Sequence, residues 1–243
     1  MEKHQKRIAA PRSWKIARKT SKWSVRSRSG PHPLKRSMPL LLIVRDMLQL
    51  ADNSREAKRI LHEGKVIVNG TVRKGHKFPV GVFDIVSIPV IKAHYLVLLD
   101  KKDQLALVGI EEDAASKKLC RVNGKRMVKG GRIQLNCHDG RNFLMDETGA
   151  EINTHDSLLI SIPDNKIMEH YKYKEGSQVV VIGGRHSAQT GEIEEIKRVH
   201  SPQPNVVRIK AGGDAESFES REDAIFVVGE QKIVVPGLSA LRS

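Results

Sequence analysis

The segment Ser54-Arg-Glu-Ala-Lys-Arg-Ile-Leu-His-Glu-Gly64 places Arg55, Lys58, Arg59 and His62 at intervals of one, three and four residues. At about 100° per residue in a helix, these side chains share one arc, while Ala57, Ile60 and Leu61 fall on the opposite one. A packed face behind a row of cations is binding chemistry: guanidinium and ammonium groups meet phosphates, and nothing in the row is arranged to make or break a bond. An ordinary solvated amphipathic helix would present the same arc. What sets this one apart is its exit, because Gly64 turns the chain directly into Lys65-Val-Ile-Val-Asn-Gly70-Thr-Val-Arg73. Asn69-Gly70 reads as a two-residue hairpin turn, which demands positive φ at both positions. Lys65 and the turn are thereby expected beside the helix, in a groove able to clamp a phosphate backbone.

A second concentration of cations lies at the N-terminus. Residues 1–37 hold Lys3, Lys6, Arg7, Arg12, Lys15, Arg18, Lys19, Lys22, Arg26, Arg28, Lys35 and Arg36 against the single acid Glu2. The 243 residues together carry 42 Lys and Arg against 28 Asp and Glu, a formal charge of +14, so most of the excess resides in this leader. A mixed-sign surface would solvate a protein without such self-repulsion, and the bias therefore points to a polyanion, RNA in particular. Trp14 and Trp23 lie inside the same stretch. They are suited either to stacking on bases, at about 1–3 kcal/mol per contact, or to wedging into a protein or RNA cleft.

Catalytic and metal constellations are weakly represented. Cys120 and Cys137 have no second pair to complete a zinc site or a disulfide framework, and they read as buried thiols in a reducing compartment. Cys137-His138-Asp139 brings three ligand types together in sequence, but side chains alternate along a strand, so the three are not expected to face one point. The histidines lack H-E-x-x-H spacing, and the glycines fit neither phosphate cradle of nucleotide-binding folds. The longest apolar run, Met38 to Val44, is stopped by Arg45 well short of a membrane span, and the leader has no apolar core of a secretory signal. A soluble cytoplasmic protein without cofactor or metal, and not an enzyme, is the expectation.

The elements that must position these residues are small. With 39% hydrophobic and only 4% aromatic residues, several modest cores are expected rather than one deep one. Residues 1–37, with Pro11, Gly30, Pro31 and Pro33 and no apolar periodicity, should not fold alone and should be ordered by a partner. Pro39 opens a helix predicted over Leu40 to Leu50, and Asn53 or Ser54 caps a second, with Glu56 at capping-box spacing from Asn53 and Gly64 as its stop. After the hairpin and a strand at Asp84 to Ile88, the pattern from about Ala93 becomes short strands: Tyr95–Leu99, Leu105–Gly109, Leu119–Asn123, Arg132–Leu135 and Leu158–Ile162. A last module begins near Tyr173. There, Gln178–Ile182 leads through Gly183-Gly-Arg-His-Ser-Ala-Gln-Thr-Gly191 into a returning strand, followed by strands at Val206–Lys210 and within Phe218–Val235. Paired glycines in such a loop allow a partner's backbone to come close.

The helix, glycine and Val-Ile-Val-Asn-Gly hairpin resemble the RNA-binding domain named after bacterial ribosomal protein S-four, an αL-type module. By that resemblance Ser54, Arg55, Lys58, Arg59, Lys65, Asn69, Gly70, Arg73 and Lys74 would face RNA. The glycine loop resembles a KOW module, which would put Gly183, Gly184, Arg185, His186 and Gly191 at a binding loop. Further blocks, Lys3-His-Gln-Lys-Arg-Ile-Ala-Ala-Pro-Arg-Ser-Trp14, Ser29-Gly-Pro-His-Pro33, Pro39-Leu40, Arg45-Asp46, Lys118-Leu-Cys-Arg-Val122, Gln134-Leu135 and His138-Asp-Gly-Arg-Asn142, follow in the same order. Across almost the whole chain this is similar to the archaeal and eukaryotic family of small-subunit ribosomal protein four, the "e" type, and without a long C-terminal extension it looks archaeal. The resemblance implies an α+β, multi-domain chain: a basic N-terminal arm disordered alone (1–37), a two-helix plus β-hairpin RNA-binding domain (38–92), a β-rich central domain (93–172) and a KOW-like small β-barrel with the tail (173–243). It implies a structural role in the small ribosomal subunit, with small-subunit rRNA and neighbouring small-subunit ribosomal proteins as partners, and with no membrane or homo-oligomer expected.

Overall fold

The computed structural model describes residues 4–211 and 217–230, apart from the side chains of residues 147 and 148. The chain is mostly β with few helices, and it divides into two compact units. The first contains Met1–Leu99, Gln104–Lys118 and Ile162–Asp164; the second contains Asp100–Asp103, Leu119–Ser161 and Asn165–Ser243. Among the described residues no helix is long and apolar enough to cross a membrane.

In the first unit, strands β1 (Gln5–Lys6) and β2 (Trp23–Ser24) pair within the leader, and β3 (Ser37–Pro39) runs into α1 (Leu40–Leu42). The predicted helix over Leu40 to Leu50 is shorter than expected: after α1 the chain widens into a π turn over Ile43–Met47, with the Leu48 N–H donating to the Ile43 carbonyl at 2.9 Å. That turn carries Arg45 and Asp46, whose side chains tie neighbouring segments together. The second helix, α2 (Ser54–His62), starts where its cap predicts, since the Asn53 side chain accepts hydrogen bonds from the N–H groups of Arg55 and Glu56 at 2.9 and 3.0 Å. Glu56 reaches back to the Asp52 N–H at 3.0 Å, and Gly64, at φ +74°, ends the helix. Ala57 and Leu61 are buried and Ile60 is half-buried, so the predicted face packs.

The hairpin forms as read, with β4 (Ile67–Val68) and β5 (Thr71–Val72) joined by Asn69 and Gly70 at φ 49° and 75°. Strand β6 (Pro79–Gly81) pairs with β3, and β7 (Ile85–Ile88) pairs with β4. The domain boundary expected at residue 92 is displaced, because β8 (Ala93–Leu99) and β9 (Leu105–Ile110) continue the same sheet in the order β5-β4-β7-β8-β9. A short connection through Pro89–Ile91 makes β7 and β8 antiparallel neighbours, which places Leu96–Leu99 in this core. A short helix, α3 (Glu112–Ala115), then leads to β10 (Lys117–Met127), within which the division between the units falls.

The leader departs from expectation most. It packs on the first unit through a few polar anchors rather than through a core of its own. The Trp14 indole N–H donates to the Ser37 carbonyl at 2.6 Å, the Ser13 hydroxyl to the Lys35 carbonyl at 2.7 Å, and the Leu105 N–H to the Ser13 carbonyl at 2.8 Å. Such anchors leave no periodic trace in the sequence.

The second unit holds two antiparallel five-stranded sheets. One orders β12 (Asn142–Met145), β11 (Ile133–Cys137), β10, β13 (Ser157–Ser161) and β14 (Ile167–Tyr171) over a core of Cys120, Val122, Leu135, Cys137, Ile152, Leu158 and Ile160. Both cysteines are buried free thiols. The other sheet orders β18 (Phe218–Arg221), β17 (Val206–Ala211), β16 (Thr190–Lys197), β15 (Gln178–Val181) and β19 (Ile225–Gly229). Arg121 links them: its guanidinium donates to the carbonyls of Asp223 and Ile225 at 3.0 and 2.8 Å and lies 4.9 Å from the Phe226 ring centre. The part of the predicted tail strand from residue 231 to 235 lies outside the described residues.

Candidate nucleic-acid interface

Arg55, Lys58, Arg59 and His62 all emerge from α2 into solvent, Arg59 with 82% of its side chain exposed. Glu63 sits among them, taking the Arg59 guanidinium at 2.9 Å and the Lys65 ammonium at 2.6 Å, and its carboxyl is held below the ordinary range by those two hydrogen bonds. Arg55 and Lys58 form no ion pair among the described residues. The imidazole of His76 is pushed below its usual pKa by burial first, and then by the charges of Lys58, Lys77 and His62. Lys58 of α2 and Lys77 of the loop before β6 thus both act on the same imidazole. His76 and Lys77 lie outside the helical arc, and the run Arg73-Lys-Gly-His-Lys77 is their signal in the sequence. Lys74 is exposed, whereas Arg73 is half-buried with its guanidinium 4.6 Å from the Phe78 ring centre.

Three residues expected on this face do other work. Ser54 accepts the Arg45 guanidinium at 2.6 Å. Asn69 donates to the Asp84 carboxylate at 2.8 Å and accepts from the Ile85 N–H at 2.9 Å, which fixes the turn to the sheet. Gly70 is covered on its Cβ side, where a methyl group would run into the Ile162 side chain and stand 3.2 Å from Pro163. The hairpin tip therefore meets its own chain, a constraint that a local reading of Asn-Gly cannot contain.

Asp84 is the centre of that constraint. Fully buried, it takes Lys118 at 2.7 Å, His32 at 2.9 Å, Asn69 at 2.8 Å and the Gly81 N–H at 2.9 Å. Burial alone would raise its pKa, but the charges of Lys118 and His32, and their hydrogen bonds, hold it well below the ordinary carboxylate value. The leader, the hairpin and the start of β10 are thus pinned at one carboxylate.

The leader's cations divide into two sets. Lys6, Arg12, Lys15, Lys19, Lys22 and Arg28 are exposed and Arg26 is half-buried, while Lys3 lies outside the described residues. Arg7 is buried against Asp46 at 3.1 Å and ties the leader to the π turn, whereas Arg18 donates to the carbonyls of Ile8, Ala10 and Pro11 and serves the leader's own fold. Of the two readings of the tryptophans, Trp14 is an anchor, 1% exposed. Trp23 is 50% exposed, with Lys22 over its ring and His4 beside it.

In the second unit, Gly183 and Gly184 have φ of 101° and 83°, and Arg185 is exposed. His186 stacks on Phe218 with ring centres 4.5 Å apart. Gly191 is not in the loop but buried in β16, where a Cβ would strike the Lys210 backbone and Ile209 of β17, so its smallness serves strand pairing. Cys120, His138 and Asp139 bring potential ligand atoms within 4.8 Å of one another, because the turn after β11 frees His138 and Asp139 from strand alternation. The third potential ligand, Cys120, comes from β10 rather than from the Cys137-His138-Asp139 run. Protein groups already engage the cluster: the Cys120 thiol meets Asp139 at 3.4 Å, Asp139 pairs with Arg141 at 3.2 Å, and the Arg121 N–H donates to His138 Nδ1 at 3.2 Å.

Comparison with known proteins agrees with this architecture. Residues 91–167 match the family model described as Ribosomal family S4e, and residues 1–35 match that of the RS4NT (NUC023) domain. Small ribosomal subunit protein eS4 of Methanocella arvoryzae is 44% identical over 238 residues, 98% of each chain. Its counterpart in Archaeoglobus fulgidus is 42% identical over 231 residues, 95% of each. The crystal structure of the 30S ribosomal protein S4e from Thermoplasma acidophilum superposes with a TM-score of 0.70 at 36% identity, covering 82% of this chain and 97% of that one. The class defined by fold and sequence is that of the ribosomal proteins. Within it, this chain belongs to the S4e family.

Proposed function

We propose that this chain is a structural constituent of the small ribosomal subunit, located in the ribosome in the cytoplasm, and that it supports translation by binding and stabilising small-subunit rRNA without catalysing a reaction. The observation that carries the reading is that Lys58 of α2 and Lys77 of the loop before β6 both act on His76, beside exposed Arg55. Like charges crowd there at a cost unless a polyanion relieves them, and rRNA phosphates supply that relief. Exposed Lys65 and Lys74, with Arg59, extend the surface, and the leader's exposed Lys6, Arg12, Lys15, Lys19, Lys22 and Arg28 add phosphate contacts. Trp23 offers a ring to an unpaired base.

The segment from residue 173 to 243 carries nine basic and ten acidic side chains, so its KOW-like sheet has no charge excess to drive RNA binding. It docks by shape through the Gly183-Gly184-Arg185-His186 loop, or against neighbouring ribosomal proteins, and no homo-oligomer is needed for any of these contacts. Expression of the tagged full chain followed by sucrose-gradient sedimentation tests the assignment. Cofractionation with small subunits at moderate salt is expected; a chain that stays at the top of the gradient, or travels with other RNA, would overturn it.

A further inference from the structure

The leader segment between Trp23 and Ser37 contains a concavity that the phosphate-neutralising role of its cations does not require. Residues Arg26 to Leu34 line a cavity of about 330 Å³, and nine consecutive residues facing one space means that the chain wraps around it. The wrap is held at both ends. Near its start the Arg28 N–H donates to the Lys77 carbonyl at 2.8 Å, and near its end His32 is fixed to buried Asp84 at 2.9 Å. Between these anchors Gly30 packs so closely on the Pro79 ring that a Cβ would lie 2.6 Å from it. The cavity is therefore preformed by contacts within the first unit.

Its lining has two characters. Arg26 and Arg28 are its cationic residues, and Ser27 and Ser29 lie between and beside them. Pro31, Pro33 and Leu34 form an apolar wall. The volume exceeds what a phosphate group fills and lies at the lower end of the roughly 300–1,000 Å³ typical of small-ligand sites.

We infer that the loop from Arg26 to Leu34 is a receptor for one unstacked nucleotide of single-stranded RNA. Its phosphate is bound by Arg26 and Arg28, and its base lies on the Pro31, Pro33 and Leu34 wall. Proteins read unpaired RNA by accepting splayed bases on flat or apolar surfaces while Arg groups hold the backbone. This inference deepens the RNA-binding assignment above and rests on it.

The test uses the full chain and a pentameric single-stranded RNA with a central 4-thiouridine, photocrosslinked and mapped by mass spectrometry. Crosslinks within residues 26–34 are expected, with uridine monophosphate competing better than inorganic phosphate. Arg26→Ala with Arg28→Ala should reduce these crosslinks by about tenfold or more, as the removal of two charge-assisted hydrogen bonds implies, with an unchanged circular dichroism spectrum. Arg55→Ala with Lys58→Ala should leave them in place while weakening binding of structured rRNA fragments. Crosslinks elsewhere, crosslinks in the loop that survive Arg26→Ala with Arg28→Ala, or equal competition by inorganic phosphate would refute the nucleotide pocket and leave the α2 surface standing. If Arg55→Ala with Lys58→Ala leaves rRNA binding intact, the α2 surface reading fails instead.

Discussion

Asp84 illustrates how a single buried carboxylate fixes the elements that carry the proposed RNA-facing surface. Lys118, His32 and Asn69 converge on it from three parts of the sequence, and removing one partner strands a buried charge. Lys118→Met is therefore expected to destabilise the folded chain by about 3–5 kcal/mol, read from the urea midpoint. Because the Asp84 carboxyl is held well below its ordinary pKa of 3.8, the unfolded chain binds its proton more readily than the folded one. The stability it contributes is complete at neutral pH and is lost as the pH falls below that value. Urea midpoints at pH 7 and pH 3 should show the loss, and Asp84→Asn should show a smaller difference between the two. On the surface, Arg55→Ala with Lys58→Ala should weaken RNA binding and flatten the salt dependence by roughly 0.7–0.9 in log–log slope for each phosphate left without its cation. An unfolded variant would mean that the faces of α2 are reversed.

At the level of elements, α2 and its hairpin behave as one piece because the turn is fastened at both of its residues. Gly70→Ala would combine a left-handed backbone with a methyl group pressed on Ile162 and Pro163, and should cost about 1–3 kcal/mol by chemical denaturation. The leader is fastened by its tryptophan. Trp14→Ala removes a fully buried ring and its hydrogen bond to Ser37, so a loss of about 3–5 kcal/mol is expected, together with faster proteolysis between residues 1 and 37. A leader cleaved equally fast in both proteins would indicate that it is not docked before RNA arrives.

Over the whole molecule, charge is distributed unevenly. The leader concentrates twelve cations against one acid, whereas residues 173–243 are close to neutral. RNA affinity should then reside in the first unit and be strongly salt-dependent. If the chain neutralises on the order of 6–10 phosphates, affinity should drop by about 10³–10⁵ between 50 and 200 mM salt. A flat response in a filter-binding titration would contradict an electrostatic interface.

Local signals determined much of this protein. The Asn53 cap, the Gly64 stop, the Asn69-Gly70 turn and the arc of Arg55, Lys58 and Arg59 each depend on neighbours within a turn or two, and each forms as the residues dictate. Short apolar runs likewise announced the strands after Ala93. Tertiary structure alone decided which polar residues remain available. Arg7 and Arg55 are both arginines in basic segments, yet Asp46 buries the first while the second stays exposed; Trp14 and Trp23 are separated in the same way. The reason is that a side chain's availability depends on what the fold brings against it from tens of residues away, as His32, Asn69 and Lys118 are brought to Asp84, and no pattern within one segment encodes that encounter.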